Sequence, residues 1–169
     1  MILGQALSYK TNRFLKQNLS IRESVSYNNA QSIGVIYSND TPEKTKLAER
    51  LKELLLADGK KVKVLAYDRN VEVQHLPFES FSKKDLGFWG NFIKQSIDNF
   101  SNTTFDFLYC LDNKPGEIIK NILAKSKAKC RVGICHDFEA YQNTFELIVQ
   151  TANDSNIIDS VHSYTKNIR

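Results

Sequence analysis

Residues 32–67 read "SIGVIYSNDTPEKTKLAERLKELLLADGKKVKVLAY", and this stretch decides the fold. "SIGVIYS" (32–38) is a short, nearly continuous apolar run, as expected for a strand buried on both faces. Thr41 suits a helix N-cap, and Pro42 suits the first helical position, where a missing N–H costs nothing. Leu47, Leu51, Leu54 and Leu55 then fall on one helical face, and Gly59 ends the helix by tolerating a left-handed backbone. "KKVKVLAY" (60–67) supplies a second strand. A β-α-β order this short requires a crossover helix and a parallel sheet.

The same alternation returns downstream. A strand at 105–111, "FDFLYCL", leads to a helix over 115–126 and a strand over 129–136, "KCRVGICH". A fifth strand at 145–151 precedes a closing helix over 155–168, with Asp154 or Ser155 as its cap. The chain is thereby read as complete. Helices are also expected over 3–19 and 91–99, with a loop from Ser20 to Gln31. The fold class is α/β: a single doubly wound (Rossmann-like or flavodoxin-like), mostly parallel five-stranded sheet of order 2-1-3-4-5, with an extra N-terminal helix. The organisation is a basic amphipathic helix over 1–22 and one α/β domain over 32–169.

Bulk properties narrow the function classes. At 169 residues the chain fits one domain, and 41% hydrophobic residues provide for a packed core. No apolar run approaches the roughly 18 residues needed to span a bilayer, and the N-terminus lacks the order of a signal peptide. Three cysteines, Cys110, Cys130 and Cys135, sit in apolar strands and read as reduced thiols of a cytoplasmic protein. The formal net charge of +4 is concentrated at the N-terminus, where residues 1–22 carry Lys10, Arg13, Lys16 and Arg22 and no acid. Such a segment can meet phosphate or an acidic partner. It can equally be the solvated face of a helix packing through Leu3, Leu7, Phe14 and Leu15, and it has few bulky apolar residues for membrane insertion.

In doubly wound sheets ligands bind beyond the carboxyl ends of the strands, where the winding reverses. That crevice is expected to be lined by Ser38, Asn39, Asp40 and Thr41 on one side and Asp112, Asn113 and Lys114 on the other. The turn "YSNDTPEK" (37–44) has no glycine to bring backbone N–H groups up to a phosphate, and Asp40 repels one, which argues against dinucleotide binding or a P-loop. Asp40 and Asp112 can form a carboxylate pair for acid–base work or a divalent metal, or simply act as caps and turn formers. "CHD" (135–137) brings thiol, imidazole and carboxylate together in sequence, but Cys135 and His136 point to opposite faces of a strand, so neither a metal site nor a catalytic thiol is indicated. No cofactor is implied. The long segment 68–92 is rich in aromatics, among them Phe81, Phe88 and Trp89, which with Lys83 and Lys84 can stack bases or sugars or can cover the core.

Residues 105–134, "FDFLYCLDNKPGEIIKNILAKSKAKCRVGI", resemble part of the N-terminal domain of heptosyltransferase-type glycosyltransferases. Asp106 and Asp112 bracket the first strand there, and Ala128, Lys129, Arg131 and Gly133 carry the "Ala-Lys-x-Arg-x-Gly" pattern. That family has a Gly-Asp motif after its first strand and a second domain for its nucleotide-sugar donor; this chain has neither, so the catalytic role is not carried to Asp40. The whole pattern, with "KKDLGFWG" and "SVHSYTKNIR", resembles a family of small uncharacterised bacterial proteins in which one α/β domain stands alone. The expected function is a non-enzymatic cytoplasmic binding or interaction protein with a macromolecular partner, protein or RNA, the ribosome included, met through the basic helix. The alternative is a glycosyl- or nucleotide-handling enzyme related to half of a glycosyltransferase.

Overall fold

In the computed structural model, residues 2–69, 75–150 and 156–168 are described. Six strands form one sheet: β1 Ser32–Asn39, β2 Lys61–Asp68, β3 Glu79–Ser82, β4 Phe107–Cys110, β5 Cys130–Gly133 and β6 Leu147–Ile148. Their order is β3-β2-β1-β4-β5-β6, and every pairing is parallel. The five strands expected from sequence take the expected relative order. The sheet nevertheless has six strands and not five. The added edge strand, β3, has only four residues and no apolar run, so its pattern does not announce it. It is fixed by pairing from Leu65↔Glu79 to Asp68↔Ser82 and by Phe81, buried against Tyr67 with ring centroids 5.1 Å apart.

Helix α1, Ile2–Gln17, precedes the sheet; α2 is Pro42–Ala57, α3 Gln95–Asn102, α4 Glu117–Lys125, α5 Phe138–Tyr141 and α6 Ile157–Lys166. The expected caps Asp154 and Ser155, with Thr151 of the expected last strand, lie outside the described residues. Gly59 adopts φ +77°, the left-handed conformation expected after α2. Ile33, Val35 and Tyr37 of β1 join Leu51 and Leu55 of α2 and Val161 of α6 in one core layer. Ile36 joins Ile97 of α3 and Ile119, Ile122 and Leu123 of α4 in the layer on the opposite face. Two strand glycines admit aromatic rings to that second layer. A Cβ at Gly34 would lie 2.8 Å from Phe105 and Leu108, and one at Gly133 would lie 2.5 Å from Phe145.

Helix α1 lies on α4. Of its four expected apolar contacts only Leu7 is buried, and much of the seam is polar. Asn121 Nδ2 donates to Leu7 O at 3.3 Å and Thr11 Oγ1 at 3.0 Å. Asn18 Nδ2 donates to Ala124 O at 2.9 Å and Lys125 O at 3.2 Å, meeting carbonyls that the end of α4 leaves without intrahelical partners. Lys127 Nζ donates to Asn18 Oδ1 at 2.7 Å, so the "SKAK" turn between α4 and β5 is held from outside by the residue that follows α1.

On the other face Asp58, after α2, ties α6 and the loop before β1 together. It accepts from Tyr27 OH at 2.8 Å and Lys166 Nζ at 2.9 Å and lies 2.6 Å from His162 Nε2. Burial pushes this carboxyl up, but hydrogen bonds from Lys166, Tyr27 and His162 outweigh it and hold it down at about 2. A carboxyl titrating lower in the folded than in the unfolded chain stabilises above the unfolded value and loses that contribution as pH falls towards 2. Asp58→Asn is expected to lower Tm at pH 7 and to flatten the loss of stability between about pH 5 and pH 2, measured by circular dichroism melts across that range. A variant that keeps the full wild-type acid slope would assign it to other carboxylates.

Candidate functional site

Strands β1 and β4 are neighbours, and the chain leaves them towards opposite faces, into α2 and α4. Their carboxyl ends are the switch point where the crevice is expected. The structure brings Ser38, Asp40 and Asp112 together there, around a residue that the sequence pattern does not single out. Asp112 is 1% exposed; its Oδ1 accepts from Ser38 N at 2.9 Å and its Oδ2 from Ser38 Oγ at 2.5 Å. Lys44 Nζ reaches Asp112 Oδ1 at 3.0 Å and Asp40 at 3.1 Å. The two carboxylates therefore share one ammonium group. The spacing of Asp40 and Lys44, four residues apart at a helix start, is the signal that points to Lys44.

The other expected lining residues are arranged as follows. Asn39 Oδ1 accepts from Thr45 Oγ1 at 3.1 Å, and that hydroxyl lies 3.0 Å from Tyr37 OH. Thr41 has the extended backbone of an N-cap (φ −139°, ψ 148°) without a side-chain capping bond. Asn113 Oδ1 is buried with no hydrogen-bond partner among the described residues, and Lys114 is exposed. Arg69 Nη2 lies 3.3 Å from where a Cβ would stand at Gly116, the N-cap of α4. At the opposite end of the same strand pair, Asp106 Oδ2 accepts from Gln31 N at 2.8 Å and Ser32 N at 3.0 Å. Each of the two aspartates bracketing β4 thus binds backbone N–H at one end of β1.

Among the described residues no group of three or more His, Cys, Asp or Glu side chains could hold a metal ion. Burial, with Asp112 and Asp137 close by, pushes the Cys135 thiol up to about 12, and burial pushes Cys110 and Cys130 up as well. A thiol so raised stays protonated and is a poor nucleophile at neutral pH.

The second group of candidates forms a surface. Phe88 and Trp89 are 66% and 65% exposed, packed edge to face with centroids 5.1 Å apart. They sit on a turn closed by Gly87 N donating to Asn91 O at 2.8 Å, in which Gly90 has φ +70° and lies against Leu7 of α1. Lys10 Nζ donates to Asn91 Oδ1. The aromatic turn and the basic helix, about eighty residues apart in sequence, are therefore one surface. Arg13 and Lys16 point outward on α1, without hydrogen bonds or ion pairs among the described residues, and Tyr9, 70% exposed, shares their strip. Tyr9 is absent from the candidates that charge alone selects, although its i, i+4, i+7 spacing with Arg13 and Lys16 places all three on one helical face.

Two expected contact residues belong elsewhere. Phe81 is core, because pairing of β3 turns its ring inward. Arg22 is an internal tie: its side chain is 6% exposed, donates to Ala128 O and, at 3.4 Å, to Ala124 O, and lies 3.9 Å from Glu146. Burial and the neighbouring Arg131 lower its pKa to about 10, with Glu146 offsetting part of the shift. Among the described residues no helix is long and apolar enough to cross a membrane.

The chain belongs to a family of unknown function, DUF6913, which matches residues 5–168. No curated protein and no solved structure matches it.

Lys44→Met leaves the buried Asp112 carboxylate without its cation and is expected to cost about 1–3 kcal/mol in urea unfolding. Combined with Asp112→Asn, the loss should fall short of the sum of the single variants by roughly 1 kcal/mol. Simple additivity would mean that Lys44 does not stabilise Asp112.

Proposed function

We propose that this protein is a non-enzymatic cytoplasmic binding protein whose partner is RNA, held across the outer face of α1 and the Phe88–Trp89 turn. The observation that carries this reading is the juxtaposition of Tyr9, Arg13 and Lys16 with two exposed, mutually packed aromatic side chains. Proteins that hold single-stranded nucleic acid combine cations tracking the phosphates with aromatic faces on which bases stack. A duplex cannot offer its bases to such a turn, so single-stranded or looped RNA is the expected form, including that presented by a ribosome. The seam with α4 holds the platform, and no order need be gained on binding by the helix itself.

A second reading, a glycosyl- or nucleotide-handling enzyme, rests on the likeness of residues 105–134 to heptosyltransferase-type glycosyltransferases and on Arg69 beside Gly116 at the start of α4. It is the weaker one, because both carboxylates of the crevice are already engaged by Lys44, and Ser38 donates to each oxygen of Asp112. Under this reading, nucleotides or nucleotide sugars at a hundred times their Kd stabilise the protein by about 2.7 kcal/mol. Thermal-shift screening reads that directly.

For the RNA reading, fluorescence anisotropy with a labelled oligouridylate should give an affinity that falls with salt. Arg13→Ala with Lys16→Ala should weaken binding and reduce the log–log salt slope by about 0.7 for each phosphate no longer neutralised. Trp89→Ala should weaken binding and leave the slope unchanged, as expected when only stacking is removed. Affinities unaltered in both variants would remove this reading.

A further inference from the structure

The far flank of α1 carries a second, separate arrangement of cations. Arg131 lies on β5, where Cys130 and Val132 enter the core layer of α2 and α6, so its side chain leaves the sheet towards α1. It is 3% exposed. Its Nε donates to Glu146 Oε2 at 3.0 Å and its Nη2 to Glu146 Oε1 at 2.5 Å. The remaining nitrogen, Nη1, is buried and has no hydrogen-bond partner among the described residues. Buried guanidinium N–H groups are seldom left unmet, because they have given up water without replacement.

Arg131 lines a cavity of about 370 Å3 together with Arg22 and with Asn12 and Lys16 of α1. Asn143, beyond β5, and the side chains of Leu15 and Leu19 complete its wall. Its volume falls at the small end of the roughly 300–1,000 Å3 range of small-molecule sites. Among the described residues Arg22, Arg131 and Lys16 stand against the single carboxylate of Glu146, a surplus of two positive charges. The nitrogens of Arg22 are engaged by backbone carbonyls and by Glu146. Unused donors are Arg131 Nη1, the Lys16 ammonium and the amides of Asn12 and Asn143, none of which hydrogen-bonds to a described residue. Burial first, and then Arg131, lower the pKa of Arg22, with Glu146 offsetting part of the shift.

We propose that this cavity binds a small phosphate monoester. Its phosphate sits between Arg131 Nη1 and Lys16, and its organic group rests on Leu15 and Leu19. A phosphate monoester is close to doubly charged at neutral pH and so matches the surplus, where a monocarboxylate neutralises only half of it. Planar guanidinium groups also suit oxyanions with several acceptor oxygens. The site shares Lys16 with the proposed RNA surface and is otherwise separate from it, the aromatic turn lying on the other flank of the helix.

Phenyl phosphate and benzoate place the same apolar body on a dianionic and a monoanionic head, and they are the probes. The full chain, labelled with 15N, is titrated with each while the arginine Nε–Hε signals are followed, and Tm is recorded in parallel. Saturable movement of the Arg131 signal with phenyl phosphate, a raised Tm and at least tenfold weaker benzoate binding are expected. Lys16→Glu and Asn143→Asp change exposed positions and leave the Arg131–Glu146 pair intact; each should weaken phenyl phosphate at least tenfold, whereas Arg13→Glu should not. No saturable response, equal affinity for the two probes, or binding indifferent to Lys16→Glu would overturn the proposal.

Discussion

Helix α4 ends at Lys125, and carbonyls of its last turn are met by side chains from Asn18 and Arg22, which belong to the N-terminal segment. Helix carbonyls near a C-terminus need partners from outside the helix, and burial beneath α1 shields these from water. The polar seam is therefore an obligation of the fold as much as a contact. It fixes where α1 lies, and with it the strip of Tyr9, Arg13 and Lys16, the turn that abuts Leu7, and the cavity beside Arg131. Both proposed surfaces depend on that single docking.

The switch point of the sheet shows the same economy of polar groups. Asp106 and Asp112 bracket β4 and accept backbone N–H from opposite ends of β1, so the central strand pair is tied twice outside its ladder. Burial raises the Asp106 carboxyl, but hydrogen bonds from Gln31 N, Ser32 N and Lys129 outweigh it and lower it. Lys44 completes the arrangement by supplying the compensating charge. At this strand end Ser38, Asp40, Lys44 and Asp112 are bound to one another.

Several residues change meaning between chain and fold. Arg22 groups with Lys10, Arg13 and Lys16 in the sequence because net charge along a chain carries no information about depth; the structure buries it against two carbonyls. Phe81 groups with Phe88 and Trp89 because β3 is too short to show alternation, and only pairing with β2 turns it inward. Lys44 escapes notice because its partner Asp112 is sixty-eight residues away. Arg131 reads as one member of a pattern, and its unpaired nitrogen exists only once Glu146 has taken the other edge of the guanidinium.

The alternation of apolar strands with amphipathic helices, the proline at the start of α2 and the glycine after it were enough to determine a parallel doubly wound sheet and the order of five of its strands. Those features act locally: side-chain period, missing N–H groups and permitted backbone angles are properties of neighbouring residues. Which charges face water, which are internal ties and which surfaces coincide were decided only by tertiary packing. Burial and pairing between residues eighty or a hundred positions apart depend on where whole elements come to rest, and no local pattern encodes that.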